Sequence, residues 1–305
     1  MIRPSWRLVC VVLAACSGSG PSAVIPIGFT LPDSVSAVDG SGASLPTPEF
    51  LRRVASADLL LLGEVHDNPL HHALRAQLID AFDDRRPAVV FEQFPESRGP
   101  LPPKGASESL EQWLDQNRFD RDGWRWPLHR PVVEAALTQA RSLWGSGVPR
   151  DSLRAIMRGG EAAASPHLRV LLVRAPLDSA ATRTLDQELV VGHCGRLPAS
   201  MVEGMRAAQT VRDAAMTAAL LRAAEDGPAW LIAGNGHVRR DIAVPRLLRV
   251  VAPDANVVSV GLLERRAGGA APAPESLRQY DLILVTPRRE RTDPCAGFEV
   301  RPTRP

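Results

Sequence analysis

Four consecutive leucines, Leu59 to Leu62, lie between Asp58 and Gly63. A run this short and this apolar reads as a strand buried on both faces, the kind found inside a parallel sheet. The strand runs out through Gly63, Glu64, Val65 and His66. In an extended chain, the period of two puts Glu64 and His66 on one side. Asp67 and Asn68 then offer N-cap side chains, and Pro69 suits the first helical position. Leu70, Leu74, Leu78 and Phe82 mark one face of the helix that follows. A carboxylate and an imidazole therefore stand at the carboxyl end of a buried strand. In open parallel sheets, ligands bind at that edge.

The pattern recurs. Ala88 to Phe91, AVVF, leads directly into Glu92. Strand, helix and strand within about thirty-five residues form a right-handed βαβ unit, which brings Glu64, His66 and Glu92 together. Trp230 to Ala233, WLIA, runs into Gly234-Asn235-Gly236-His237 and repeats the order of apolar strand, glycine, two residues, histidine. Further strands are expected at Leu168–Val173, Val257–Leu263 and Leu282–Val285. Helices are expected over 109–119, 131–144, 151–158, 180–190, 198–224 and 239–250. The expected fold is α/β: a mostly parallel sheet flanked by helices, with a smaller helical subdomain inserted at about 96–165.

Gln209, Arg212 and Asp213 are spaced three and four apart on the longest helix and share a face. They form either a solvated stripe or a polar cluster aimed at the sheet edge. His193 sits on a glycine-flanked turn, Gly192-His193-Cys194-Gly195. Trp124, Trp126 and His129 precede a helix, as a subdomain core or as a lid. His71 and His72 fall inside a helix, and His167 falls in a loop.

Two chemistries fit these residues. Glu64, His66 and His237 are enough to hold a divalent transition ion. Open positions would admit water, with Glu64 or Glu92 as general base, giving a hydrolase of peptide, ester or amide bonds. The same edge could instead hydrogen-bond haem propionates, or ligate haem iron through an imidazole.

Net charge is +2 over 305 residues, and the arginines are scattered rather than clustered, which argues against a nucleic-acid partner. The N-terminus carries Arg3 and Arg7, then a short apolar stretch, Leu8 to Ala15, too short to span a bilayer. It ends in Leu13-Ala14-Ala15-Cys16 followed by Ser17-Gly18-Ser19-Gly20. This resembles a bacterial lipoprotein signal over residues 1–16, with a plain secretory signal as the alternative. Cys16 would then carry lipid and anchor an exported protein on the periplasmic side or the outer membrane. Residues 17–48 read as a flexible tether with a short edge strand near Ala23 to Phe29. The main domain is expected over 49–290 and a tail over 291–305. Cys194 and Cys295 remain for a disulfide in an oxidising compartment, two free thiols being the alternative.

The stretches LLLGEVHDNPLHHALRAQLI, VVFEQFP, WPLHRPVVEAA, HCGRLP, MRAAQTVRDAAM and LIAGNGHVRRDIAVPRLL together resemble the ChaN family of haem-binding lipoproteins. That family shares a superfamily with the Tiki proteases and erythromycin-esterase-like proteins. The resemblance runs from about Ala55 to Leu263 in family order. It implies an α/β fold, a role in haem or iron acquisition, and haem held between two protomers. The candidate haem-binding residues in this chain are His129, His193, Gln209, Arg212 and Asp213. In the wider superfamily the paired G-x-x-H motifs are associated with metal-dependent hydrolysis; here they are Gly63 to His66 and Gly234 to His237. Family haem binding is associated with a tyrosine ligand, but here His129 holds that place and Tyr280 is the chain's one tyrosine. Either His129 replaces the tyrosine, or this member binds haem poorly or not at all.

Overall fold

The structure, a computed structural model, describes residues 29–293, 295 and 296. The signal segment with Cys16 lies outside the described residues, as does the expected strand near Ala23 to Phe29 apart from Phe29 itself. In chain order the elements are β1 (Ser36–Asp39), α1 (Thr47–Ala55), β2 (Leu59–Leu62), α2 (Pro69–Ala81) and β3 (Ala88–Pro95). Next come α3 (Leu110–Gln116), α4 (Arg130–Gln139), β4 (Ser142–Gly147), α5 (Arg150–Gly159), α6 (Pro166–Arg174) and α7 (Ser179–Gly192). The last are α8 (Ala199–Ala223), β5 (Ala229–Ile232), α9 (Val244–Val251), β6 (Val257–Glu264), α10 (Pro274–Leu277) and β7 (Leu282–Thr286). No described helix is long and apolar enough to cross a membrane.

Seven strands form one sheet in the order β1-β7-β6-β2-β5-β3-β4. Only β1 runs antiparallel, against β7; the other pairs are parallel. The sequence is an α/β fold, as the leucine run implied. Period two splits the sheet into two buried faces. Leu60, Leu62, Val89, Phe91, Trp230 and Ile232 pack against residues of α1, α2 and α4. Leu59, Leu61, Val90 and Leu231 pack against α8 and α9. The register aligns Leu62, Ile232 and Phe91 across β2, β5 and β3. The three strands that lead into the glutamate and histidine motifs are therefore neighbours and end together.

Three expectations are corrected. Leu168–Val173 belongs to α6 and is no strand: Leu168 and Leu172, four apart, are buried against α8, while Val170 and Val173 are exposed. One buried face at that spacing is helical. The helix expected over 131–144 stops at Gln139, and Ser142–Gly147 becomes β4, an edge strand inside the expected helical insertion. Its glycines serve close packing. A Cβ at Gly147 would stand 2.7 Å from the Glu92 carbonyl oxygen. The tether expected over 17–48 gives way to order within its span, because β1 closes the sheet beside β7.

Candidate functional site

The two G-x-x-H motifs interlock through their glycines. A Cβ at Gly63 would collide with Oδ1 of Asn235. That Asn235 acts as a backbone mimic: its Nδ2 donates to the Leu262 carbonyl at 2.7 Å, and its Oδ1 accepts from the Leu262 N–H at 3.1 Å. Its own N–H donates to the Glu64 carbonyl at 2.9 Å. In return, a Cβ at Gly234 would stand 2.8 Å from Nε2 of His66. Each motif's glycine makes room for a side chain of the other.

Glu64 is buried at the centre of one cluster. Its Oε1 lies 2.7 Å from His66 Nδ1 and 3.3 Å from both Gln93 Nε2 and His129 Nε2. Its Oε2 pairs with Arg75, a wholly buried arginine from α2. Burial pulls the Arg75 guanidinium down to about 9. His72 donates from Nε2 to the His66 carbonyl at 3.0 Å, which leaves its Nδ1 to accept from Arg75 at 2.9 Å. Burial lowers His72 to about 4, so it is neutral, in keeping with those bonds. His71 accepts the Val65 N–H at 2.9 Å and donates to Thr286, fixing the turn that aims His66. Arg75, His71 and His72 were not assigned to the site from the sequence. The signal was present, since three polar residues at helical spacing interrupt a face that docks on the sheet.

Glu92 is the second centre. Its Oε2 accepts the Gly234 N–H at 2.8 Å, and its Oε1 pairs with Arg212. His237 lies on the single turn Asn235–Val238, with Nδ1 2.6 Å from Asp213 and Nε2 3.5 Å from Glu92. Burial alone would lower His237, but Glu92 and Asp213 outweigh it and hold the imidazole at about 9. Burial would raise Glu92, yet His237 and Arg212 keep it well below the usual carboxylate range. Asp213 moves up, because burial outweighs its neighbours. Gln209 Nε2 approaches His237 Nδ1 at 3.3 Å. Gln209, Arg212 and Asp213 thus face the sheet edge and do not form a solvated stripe.

The ligand sets expected from the sequence divide. Glu64, His66 and His237 do not form one metal set: both nitrogens of His237 are engaged by carboxylates. The donors that converge are those of Glu64, His66 and His129, all within 4.8 Å of one another. The Arg75 charge on Glu64 opposes a second cation there. His129 is not open to a haem. It is buried, its ring lies against those of His72 and Trp124, and burial lowers it to about 2. His193 stands apart at the C-cap of α7, with Nδ1 donating to the Leu189 carbonyl at 2.7 Å. Beside it, Cys194 and Cys295 are disulfide-bonded. Just before that bond, Arg291 pairs with Asp67 and Glu264 and ties the tail to the site's rim.

His66 differs from its buried neighbours, with a side chain 47% exposed. The Trp124 ring meets it edge-on, with the ring centroids 5.1 Å apart. Trp124 and Glu92 also line a pocket of about 480 Å³ that includes Phe94, Arg118, Arg150 and Arg212. Apolar walls, several arginines and an adjacent open imidazole suit an anionic, metal-bearing ligand such as haem.

The fold is similar to that of ChaN from Campylobacter jejuni, in a structure described as cofacial haem binding. Identity is 16%, coverage is 83% of this chain and 96% of that one, and the TM-score is 0.64. At that identity the likeness speaks for the fold alone. An erythromycin esterase mutant in its open conformation (14% identity, 80% and 94% coverage, TM-score 0.42) is too distant to add to this. The same holds for a Bacillus cereus protein (13% identity, 77% and 89% coverage, TM-score 0.38). No curated protein matches the chain. Residues 50–248, more than half of the sequence, match the family described as haem-binding uptake, Tiki superfamily, ChaN, and the chain belongs to that family.

Proposed function

We propose that this is an exported, lipid-anchored protein that binds haem in a haem- or iron-uptake system. The observation that carries the reading is the pocket at the carboxyl edge of the sheet, with Phe94 and Trp124 as apolar walls, Arg118 at hand for a carboxylate, and Arg150 and Arg212 beside it on Asp120 and Glu92. Its volume of about 480 Å³ lies within the range of small-ligand sites. The Leu13-Ala14-Ala15-Cys16 motif supports the anchor, and the disulfide suits an oxidising compartment outside the cytoplasm. Cofacial haem binding, as described for the Campylobacter jejuni protein, suits an open pocket that a second copy of the chain could cover. The test is a haemin titration of the chain starting after Cys16, followed through the Soret band and by molecular size, on protein first assayed for metals. A saturable shift at a defined ratio supports the reading; no shift refutes it.

A second reading is a metal-dependent hydrolase, favoured by the convergence of Glu64, His66 and His129. About one zinc, manganese or iron per purified chain, with turnover of an ester or peptide, would establish it; metal-free protein that binds no divalent ion would end it.

A further inference from the structure

We propose that His66 is the axial ligand through which this chain takes the iron of a haem, an inference that rests on the haem-binding function proposed above. Three observations select it among the imidazoles of the site. Its side chain is 47% exposed, whereas His71, His72 and His129 are buried. His237 is the other strand-end histidine, and its nitrogens face Asp213 and Glu92. His66 Nδ1 lies 2.7 Å from Glu64 Oε1, so the N–H donates inward and the Nε2 lone pair is left for a metal. A carboxylate on the far nitrogen fixes the tautomer and makes the ligating nitrogen more basic, the arrangement typical of metal-bound histidines.

The ring is also held in place. Glu64 is clamped by Arg75 and Gln93, and the His66 carbonyl accepts from His72 Nε2 at 3.0 Å. His71 anchors the preceding residue by its N–H. Nε2 makes no hydrogen bond among the described residues, and the ring edge that carries it rests beside Gly234, where the absence of a Cβ makes room for it. Trp124, in edge contact with the ring, continues into the pocket and supplies an apolar wall beside the ligand. Arg118 has no ion-pair partner among the described residues, so it is available to a carboxylate without breaking a contact. His129 occupies the place in sequence where a ligand was expected. Its buried ring instead packs behind the Glu64–His66 pair as support.

The experiment compares haemin titrations of the wild-type chain, His66→Ala, His66→Gly and His193→Ala. Absorption and electron paramagnetic resonance spectra are recorded for the ferric form and absorption for the ferrous form. Because His66 is half exposed, circular dichroism melts of its variants should match wild type. The expected result is a histidine-ligated spectrum in wild type and His193→Ala. In His66→Ala that spectrum is lost and haemin binding is at least tenfold weaker. In His66→Gly, added imidazole restores the spectrum. A His66→Ala protein with the wild-type spectrum and affinity overturns the assignment and leaves haem binding standing. Loss of the spectrum in His193→Ala with retention in His66→Ala moves the ligand to His193 and also overturns it. A wild-type chain with no saturable shift overturns both the ligand and the function.

Discussion

The interlocked glycines give the sharpest test of the site's construction, because the same substitution should behave differently at the two positions. In Gly63→Ala the new Cβ meets Oδ1 of Asn235 and stands 2.8 Å from Cγ2 of Val238. Val238 is fully buried, and Asn235 is held by two hydrogen bonds to the Leu262 backbone, so neither can yield cheaply. Overpacking a well-filled interior costs about 1–3 kcal/mol. Breaking the Asn235 bonds adds about 1 kcal/mol each. The expected loss is about 3–5 kcal/mol. In Gly234→Ala the Cβ stands 2.8 Å from Nε2 and 2.9 Å from Cε1 of His66. That ring is half exposed and can swing into solvent. The stability cost should be under about 1 kcal/mol, but the swing breaks the 2.7 Å contact between His66 and Glu64. Urea unfolding of both variants reads the first quantity, and haemin titration reads the second. Gly63→Ala should be severely destabilised; Gly234→Ala should be folded and deficient in haemin binding. Equal destabilisation of the two, or Gly234→Ala with wild-type haemin binding, would refute the reciprocal packing and its link to His66.

Further expectations follow from the disulfide and the buried imidazoles. The bond joins residues separated by 101 positions, and closing a loop of that size is worth up to about 4.7 kcal/mol through the unfolded state. Cys194→Ser should lose most of this in urea unfolding, and a difference below about 1 kcal/mol from oxidised wild type would show that the tail adds nothing. His237, raised to about 9, contributes stability that is complete below its ordinary value of 6.5 and is lost as pH rises through 9, on the order of 3 kcal/mol. His237→Gln should remove that alkaline limb; an unchanged limb would assign it elsewhere. His71, His72 and His129, lowered to about 3, 4 and 2, act in the opposite sense. Their stability is complete above 6.5 and is lost as pH falls towards those values. Near pH 5, three protons taken up on unfolding give a slope of about 4 kcal/mol per pH unit. A flat profile between pH 6 and 5 would mean these imidazoles are charged in the fold.

The strands that carry the site were legible because both their faces are buried. LLLL, AVVF and WLIA have no polar side to confuse their period, and each ends at a glycine or a glutamate. Elements with a single buried face were harder to read. In α6 the leucines that pack, Leu168 and Leu172, alternate with the exposed Val170 and Val173, and composition alone makes the stretch look like a strand. In β4 the glycines that allow contact with β3 are residues depleted in strands, and they carry no strand signal of their own. The site shows the same division. Glu64, His66, Glu92 and His237 follow from strand ends, and Gln209, Arg212 and Asp213 follow from helical spacing. Beyond the local Glu64–His66 pair, which partner each takes does not follow from spacing. That His237 joins Asp213 depends on where α8 crosses the sheet edge, a tertiary fact that local patterns do not encode. His129 reaches Glu64 across 65 positions for the same reason.

The pairing of charges explains what the site presents to solvent. Glu64 and Glu92 are both buried, and each is met by an arginine from a different helical layer: Arg75 from α2 on one face of the sheet, and Arg212 from α8 on the other. A carboxylate at the end of a buried parallel strand cannot be left unpaired, since a lone buried charge costs several kcal/mol. Helices on both faces are the elements placed to supply the partner. Once paired, neither carboxylate is free to act as a general base without first giving up its arginine. The groups left to act are those the pairing leaves over: the Nε2 of His66 and, in the pocket, Arg118. An electron-pair donor beside cations and apolar walls is matched by a ligand that carries a metal, an apolar ring and negative charge. The arrangement therefore favours binding over hydrolysis at this edge, and the same two arginines that stabilise the fold set that preference.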